Sequence, residues 1–553
     1  LETAAQYSAT LFRQSGHLTM ARACFYASPT ETIFLRRLTQ DVHVNIISQY
    51  LNGMAAKSAG PVTRRDRDVV CTQYTSVVRC SFEHRLLQSE TRLLPLPRVW
   101  SGRLRTERKW ERLMNKIAFF LSAGLTSLSL SVPAIAATKI QWWHAMGGEN
   151  GAKLEQIAKG FNASQSDYEI VPVYKGTYDE TLTGAIAAFR ANQQPAIVQV
   201  YEVGTGTMMA AQGAVYPVYQ LMKDQGEPWD QNQFIAPVVG YYSDTSGNVL
   251  SLPFNSSTPI MYYNKDVFKK AGLDPEAPPK TWADVEAFSR TIIKSGAAKC
   301  GFTSAWISWI QTENLNALHD KPYSTKANGF GGLDAEFTFN NDLTIRHWGN
   351  LKKWQDEGLF KFGGPVGGDN APPMFYSQEC AMYMNSSAGR AGVINNAKGF
   401  KVGFAPLPYY DDIIKQPLNS IIGGATLWTL KGRPDAEYKG VAKFYTYLQK
   451  PDVQADWHQF SGYLPITEAA YKLSQEQGYY EKNPGADVGI KQLTRVTPTE
   501  NSKGIRFGNY VQVRGIIDDE FAALLGGKKT AKEAVDSVVA RGNEQLRDFE
   551  SAN

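Results

Sequence analysis

From residue 138 onward the apolar positions of the chain alternate between two spacings. Lys139-Ile140-Gln141-Trp142-Trp143 has the character of a strand, and the segment from Gly151 to Phe161 carries Leu154, Ile157, Ala158 and Phe161 at helical spacing. Tyr168 to Tyr174 predicts a second strand, Tyr178 to Asn192 a second helix and Ala196 to Tyr201 a third strand. Strand and helix in alternation build a mostly parallel sheet covered by helices, an α/β architecture whose ligand sites open beyond the carboxyl ends of the strands. After Pro253 to Ser257 the pattern starts again, with a strand at 260–263, a short helix from Asp266 to Ala271 stopped by Gly272, and a helix over 282–295. Thr281 and Asp284 stand three apart at the head of that helix, so each side chain can satisfy a backbone donor that the first turn leaves orphaned. Further helices are expected near 342–357, 388–397, 434–450, 451–461 and 529–550, and Ser420 to Leu430 reads as a buried strand. A chain of 553 residues is too long for one core. With no repeat and no linker-like tract between the runs, the expectation is two bodies that exchange segments along the chain.

The first 113 residues show neither spacing. They hold fifteen Arg and two Lys against nine acidic residues, and three of the five Cys, namely Cys24, Cys71 and Cys80. The formal net charge of +5 therefore comes wholly from this stretch. The remainder of the chain is mildly acidic, which argues against nucleic acid or an anionic membrane surface as a partner. Residues 1–113 read as a leader translated from a start placed too far upstream. Met114-Asn115-Lys116, an uncharged apolar and small-residue run from Ile117, and Ala134-Ile135-Ala136 then compose a secretory signal over 114–136, with cleavage expected between Ala136 and Ala137. Gly124, Thr126, Ser127, Ser129, Ser131 and Pro133 make the run too polar for a membrane span. In an oxidising compartment Cys300 and Cys380 either pair or are buried separately.

Signatures of covalent or metal chemistry are missing: the sequence has no GxxxxGK[ST], GxSxG, HExxH or CxxC. Gly204-Thr205-Gly206 lacks the third glycine of a dinucleotide fingerprint, and His144, His319, His347 and His458 each stand without a second ligand at metal spacing. No cofactor, no metal and no catalytic residue is expected. Trp306 and Trp309, three apart, would share a face if they lay on a helix, where two rings either fill a core or form a wall against which a polyol lies.

The run Tyr262-Tyr263-Asn264-Lys265-Asp266-Val267-Phe268-Lys269-Lys270-Ala271-Gly272-Leu273-Asp274-Pro275, with Pro278-Pro279-Lys280-Thr281-Trp282 after it, resembles the signature of extracellular solute-binding proteins of the maltose-binding class. Tyr174 to Tyr178, Gln199 to Gly204, Pro253 to Pro259, Ile421 to Ala425, Gly462 to Thr467 and Tyr479 to Asp487 are similar, more narrowly, to the branch of that class that binds sn-glycerol 3-phosphate. The likeness covers about residues 138 to 550.

This resemblance implies a two-lobed, clamp-like binding protein with interleaved lobes and hinge strands, the first lobe at 137–255 and 415–465 and the second at 260–410 and 470–553. It implies a periplasmic, monomeric, non-enzymatic component of an ABC importer, partnered by permease subunits and their ATPase. Carried over by motif, the ligand contacts fall on Tyr178, Glu202, Ser257, Ser386, Gly424, Tyr463 and Arg514, with Trp306 and Trp309 beside the glycerol. The fork of Arg514 is expected to hold phosphate bidentately, Ser386 to offer an anion site at a helix start, and Glu202 to sit at the opposite end accepting glycerol hydroxyls. Arg390 either adds charge near the phosphate or faces solvent, and the second is the expectation. The rival solutes are a glycerophosphodiester such as glycerophosphocholine and an oligosaccharide; a periplasmic phosphodiesterase would need a metal cluster or an activated nucleophile.

Overall fold

The computed structural model describes residues 136–211, 213–365 and 370–553, which lie in the compact unit Leu130–Asn553. The expectations for residues 1–113 and for the signal segment, Ala136 excepted, lie outside the described residues. A first sheet begins with β1 (Thr138–His144), β2 (Tyr168–Tyr174) and β3 (Ile197–Tyr201), with β1 parallel to both of the others. Helices Gly148–Ser164 and Tyr178–Arg190 make the crossovers. The second of these starts on a capping box formed by Thr177 and Glu180, two reciprocal bonds that fix where the helix begins. Short β4 (Val215–Tyr216) and β5 (Leu252–Ser257) complete the outgoing chain.

Only Thr258 separates β5 from β6 (Pro259–Asn264), yet β6 belongs to a second sheet with β7 (Cys300–Ser304), β8 (Phe360–Phe362), β9 (Cys380–Ser386) and β10 (Val402–Ala405), in the order β10-β6-β9-β7-β8. The chain then returns as β11 (Gly423–Leu430), antiparallel to β3, β4 and β5 in the first sheet. β3, β5 and β6 are buried along their whole lengths, as strands covered on both faces must be. The two crossings run side by side and are tied together: the hydroxyls of Thr258 and Ser420 lie 2.5 Å apart, and Thr258 also donates to the Ile421 carbonyl at 3.2 Å. The expected two-lobed α/β plan with exchanged segments is thus present.

Core membership tracks the sheets. One cluster gathers Ile140, Trp142, Leu154, Phe161, Leu427 and Phe444 around the first sheet. Another gathers Phe268, Trp282, Phe302, Trp348, Met382 and Phe521 around the second. Residues after β11 stay with the first core as far as Ile490 and Leu493, and Ile505 is the first after them in the second, so the chain crosses a third time between these points. The segment expected as one helix over 388–397 is instead a tight turn, Ser387–Gly389, leading into helix Arg390–Asn396. Ser386 caps the turn by accepting the Ala388 amide at 3.1 Å.

Cys300 and Cys380 stand opposite each other in the parallel register of β7 and β9, with Cα atoms 4.5 Å apart, and form a disulfide. The register settles the pairing that spacing alone left open. The bond closes a loop of 80 residues, and replacing both cysteines by serine is expected to cost about 2–4 kcal/mol of stability. Denaturant unfolding of the two forms checks this; equal midpoints would show that the bridge contributes nothing.

Candidate ligand-binding site

Where the strands of both sheets end, a cavity of about 210 Å³ opens between the bodies. All nine residues predicted from sequence line it: Tyr178, Glu202, Ser257, Trp306, Trp309, Ser386, Gly424, Tyr463 and Arg514. Each arrives by a different route. Tyr178 is the first residue of its capped helix and stacks on Tyr201 with ring centroids 5.0 Å apart. Glu202 opens the turn after β3, Ser257 is the last residue of β5, and Ser386 the last of β9. Tyr463 comes directly after Gly462, which ends helix Pro451–Ser461 in the left-handed region. The Tyr463 carbonyl lies 2.5 Å from His458 Nδ1, and its amide donates to Ser461 Oγ at 3.1 Å.

Gly424 has to be glycine. Its φ is +90°, and a Cβ there would lie 1.9 Å from the Asn255 carbonyl oxygen, so only a bare backbone passes between β5 and the cavity. At Gly423 a Cβ would lie 2.3 Å from the Trp309 ring. The indole is laid against this backbone, and its Nε1 donates to the Ile422 carbonyl at 3.3 Å.

The two tryptophans reach the cavity differently from the helical spacing expected for them. Trp306 lies before any helix with φ +49°, a conformation that costs a bulky residue energy. Trp309 begins a wide π turn, Trp309–Glu313, of the kind that often marks functional sites. That turn carries a residue that sequence reasoning missed. Glu313, 2% exposed, accepts from Arg514 Nε at 2.8 Å through Oε1 and from Arg514 Nη2 at 2.8 Å through Oε2, while Tyr510 donates to Oε1 at 2.9 Å.

The same Nη2 donates to Glu202 Oε1 at 2.9 Å. Glu202 and Arg514 are therefore neighbours, against the expectation of opposite ends, and the Nε–Nη2 edge of the Arg514 fork is occupied by Glu313. The reason is electrostatic: a guanidinium this buried must be paired, and carboxylates from both bodies supply the pairs. Burial opposes the Arg514 charge, but Glu313 and Glu202 more than offset it and hold its pKa well above the usual value. Burial also pushes the Glu202 carboxyl up to about 7, with Arg514 opposing and Glu313 adding to the shift.

Away from the ion cluster the lining is neutral. It consists of the hydroxyls of Ser257, Ser386, Tyr178 and Tyr463, the backbone at Gly424, and two asparagines, Asn150 and Asn385, also missed from sequence. The Oδ1 atoms of both asparagines are buried without a hydrogen-bond partner among the described residues, as acceptors awaiting a donor would be. Arg390 is not part of this lining; against expectation it is half-buried and donates to Asn483 at 2.8 Å. Tyr178, Tyr201, Trp306, Asn385 and Arg514 also border a second chamber of about 450 Å³, which adds Tyr174, Asp179 and Asp518.

The folded state keeps the Glu202 proton up to about pH 7, whereas an unfolded chain releases it near 4.5. The stability this proton contributes is fully present below the lower value and is lost as pH rises through the upper one. In urea unfolding between pH 5 and 8, the wild-type protein is expected to lose on the order of a few kcal/mol relative to Glu202→Gln as pH rises. Parallel curves for the two proteins would exclude Glu202 as the titrating group.

Residues 156–487 match the model of the bacterial extracellular solute-binding protein family. The sn-glycerol-3-phosphate-binding periplasmic protein UgpB of Salmonella typhimurium is 48% identical over 428 residues, 77% of this chain and 97% of that protein. Its counterpart from Escherichia coli strain UTI89 is 47% identical over 440 residues, 79% and 99% of the two chains. Among solved structures, UgpB from Mycobacterium tuberculosis in complex with glycerophosphocholine aligns with a TM-score of 0.63 at 21% identity, over 75% of this chain and all of the other. Maltose-bound MalE3 of T. maritima aligns with a TM-score of 0.60 at 17% identity, over 75% of this chain and all of that one. At these identities the structures speak for the fold alone. The two-lobed architecture, the cavity between the lobes and the extent of the sequence match together make this chain a member of the bacterial extracellular solute-binding protein family.

Proposed function

We propose that the protein is the periplasmic binding component of an ABC importer and captures sn-glycerol 3-phosphate between its lobes without making or breaking a bond. The observation that carries this reading is that the cavity lining combines two kinds of chemistry. One kind is neutral donors: the hydroxyls of Ser257, Ser386, Tyr178 and Tyr463, and bare backbone at Gly424. Ser386 Oγ already accepts an amide, which leaves its proton to point at an anion. The other is the acidic pair Glu202 and Glu313 on one guanidinium, the polyol end on this reading, which offers phosphate no uncompensated positive charge and exchanges hydrogen bonds with alcohols. A ligand with a phosphate at one end and two hydroxyls at the other matches both. The indole of Trp309 and the half-buried Trp306 supply flat apolar walls for the carbon chain between them.

The first chamber, about 210 Å³, is smaller than the roughly 300–1,000 Å³ typical of pockets for drug-sized ligands, which favours a three-carbon solute over an oligosaccharide. The relatives' description as sn-glycerol-3-phosphate-binding periplasmic proteins supports the same ligand and compartment. Closure is a consequence of the chemistry. Ser257, Glu202 and Gly424 belong to one lobe, while Ser386, Trp306 and Arg514 belong to the other, so a ligand's contacts are complete only when the lobes meet. The closed form then docks on a permease pair driven by an ATPase.

A glycerophosphodiester is the second reading, and the second chamber favours it. That space adjoins the first, and Tyr174, Trp306 and Asp179 on its walls are the aromatic and acidic groups that hold a quaternary ammonium.

Titration calorimetry with glycerol 3-phosphate, glycerophosphocholine and maltose separates the readings. Tight binding of glycerol 3-phosphate with no product formed is expected; silence toward it with a response to either of the others would overturn the ligand and leave the family. Arg514→Ala should weaken binding by about 2 kcal/mol or more, and an unchanged affinity would remove Arg514 from the site.

A further inference from the structure

Glu313 reaches the polyol end of the cavity only through Arg514, but its geometry sets what that end can recognise. We propose that Glu313 is the positioning residue of the site: by clamping the Nε–Nη2 edge of Arg514 it fixes how the guanidinium faces the ligand and keeps the polyol end of the cavity from attracting phosphate. The proposal rests on glycerol 3-phosphate being the ligand, and three observations carry it.

First, Glu313 is built to be a carboxylate in one place. It sits in the π turn Trp309–Glu313, its side chain is 1% exposed, and it takes two bonds from Arg514 and one from Tyr510. Second, the clamp sets the orientation of the Arg514 guanidinium. Its Nη2 reaches on to Glu202 in the other lobe at 2.9 Å, and none of these bonds uses Nη1, while the residue borders both chambers. The clamp thus decides which edge of the fork is spent on protein and which faces a ligand. Third, Glu313 cancels the local positive charge. It balances the Arg514 cation whether or not Glu202 holds its proton, so the cluster is neutral below about pH 7 and carries one extra negative charge above it. An anion brought to that end finds no net positive charge to attract it in a water-poor site, whereas an alcohol can exchange hydrogen bonds with Glu202 and Arg514. Orientation of the ligand is the consequence.

The same arrangement predicts discrimination between ligands that share a phosphate. A site built to bond hydroxyls rejects an analogue lacking them, because its buried polar groups are then left unpaired. Glycerol 3-phosphate and propyl phosphate differ in this way only.

The test is tryptophan-fluorescence titration of the purified exported protein with both compounds, in the wild-type form and in Glu313→Gln, Glu313→Asp and Tyr510→Phe. The wild-type protein is expected to prefer glycerol 3-phosphate by about 100-fold or more, and Glu313→Gln to bring that ratio below about 10 by weakening glycerol 3-phosphate alone. Glu313→Asp, which keeps the charge, should retain part of the preference. A residue that merely supports the fold would weaken both ligands in step, so an unchanged ratio overturns the proposal. If Glu313→Gln fails to fold, Tyr510→Phe, which frees one lone pair of Glu313 without altering charge, is expected to lower the ratio several-fold, and no change there overturns it equally. A wild-type protein that ignores glycerol 3-phosphate contradicts the functional reading itself, and this inference falls with it. Binding by the wild type with an unaltered ratio in the variants contradicts Glu313 alone.

Discussion

A guanidinium cannot stay charged inside a protein without partners, and the buried Arg514 draws its partners from two distant places in the chain. Glu202 follows β3 in the first lobe and Glu313 comes from the π turn of the second, while Tyr510, on the same helix as Arg514, donates to Glu313. Removing Glu313 would leave the Arg514 charge imperfectly compensated where it is buried, which costs several kcal/mol on the order seen for broken buried pairs. Much of the surrounding structure serves this cluster. Tyr241 donates to the Glu202 carbonyl at 3.2 Å and also reaches the Ile505 carbonyl at the third crossing. The ion cluster, the hinge and the cavity are therefore one physical object.

That arrangement also explains why the fold must be interleaved. A ligand that sees donors from two lobes needs those lobes to move as bodies while their junction stays put. Here the junction is a pair of extended crossings tied by Thr258 and Ser420, plus the return after Leu493. Glycine at 423 and 424 lets the incoming strand press directly against Trp309 and Asn255. The cavity wall and the hinge are built from the same backbone, so closure and ligand contact are mechanically coupled.

Much of this was legible in the sequence, for reasons that differ by level. Helices such as Trp282–Lys294 and Asp342–Asp356 announce themselves through apolar spacing and a capping residue, both local signals. The nine lining residues were reachable because each sits in a short run whose neighbours resemble those of known binding proteins. What stayed hidden depends on distance along the chain. Glu313 is an unremarked acid until its partner 201 positions away is known. The Cys300–Cys380 bridge needs the register of two parallel strands, and the left-handed backbone of Trp306 leaves no compositional trace. Arg514 is ambiguous in sequence for the same reason: a fork of donors suits phosphate and carboxylate alike, and only the fold shows which carboxylates stand beside it.

On the proposed function, a bound ligand lies in a fixed direction with its alcohol end at the ion cluster. A crystal structure of the protein with glycerol 3-phosphate examines this. Phosphate oxygens are expected within hydrogen-bond distance of Ser257, Ser386 and the Gly424 backbone, and glycerol hydroxyls on Glu202 and Arg514 with the Arg514–Glu313 clamp intact. Phosphate seated on Arg514 with Glu313 displaced would contradict it.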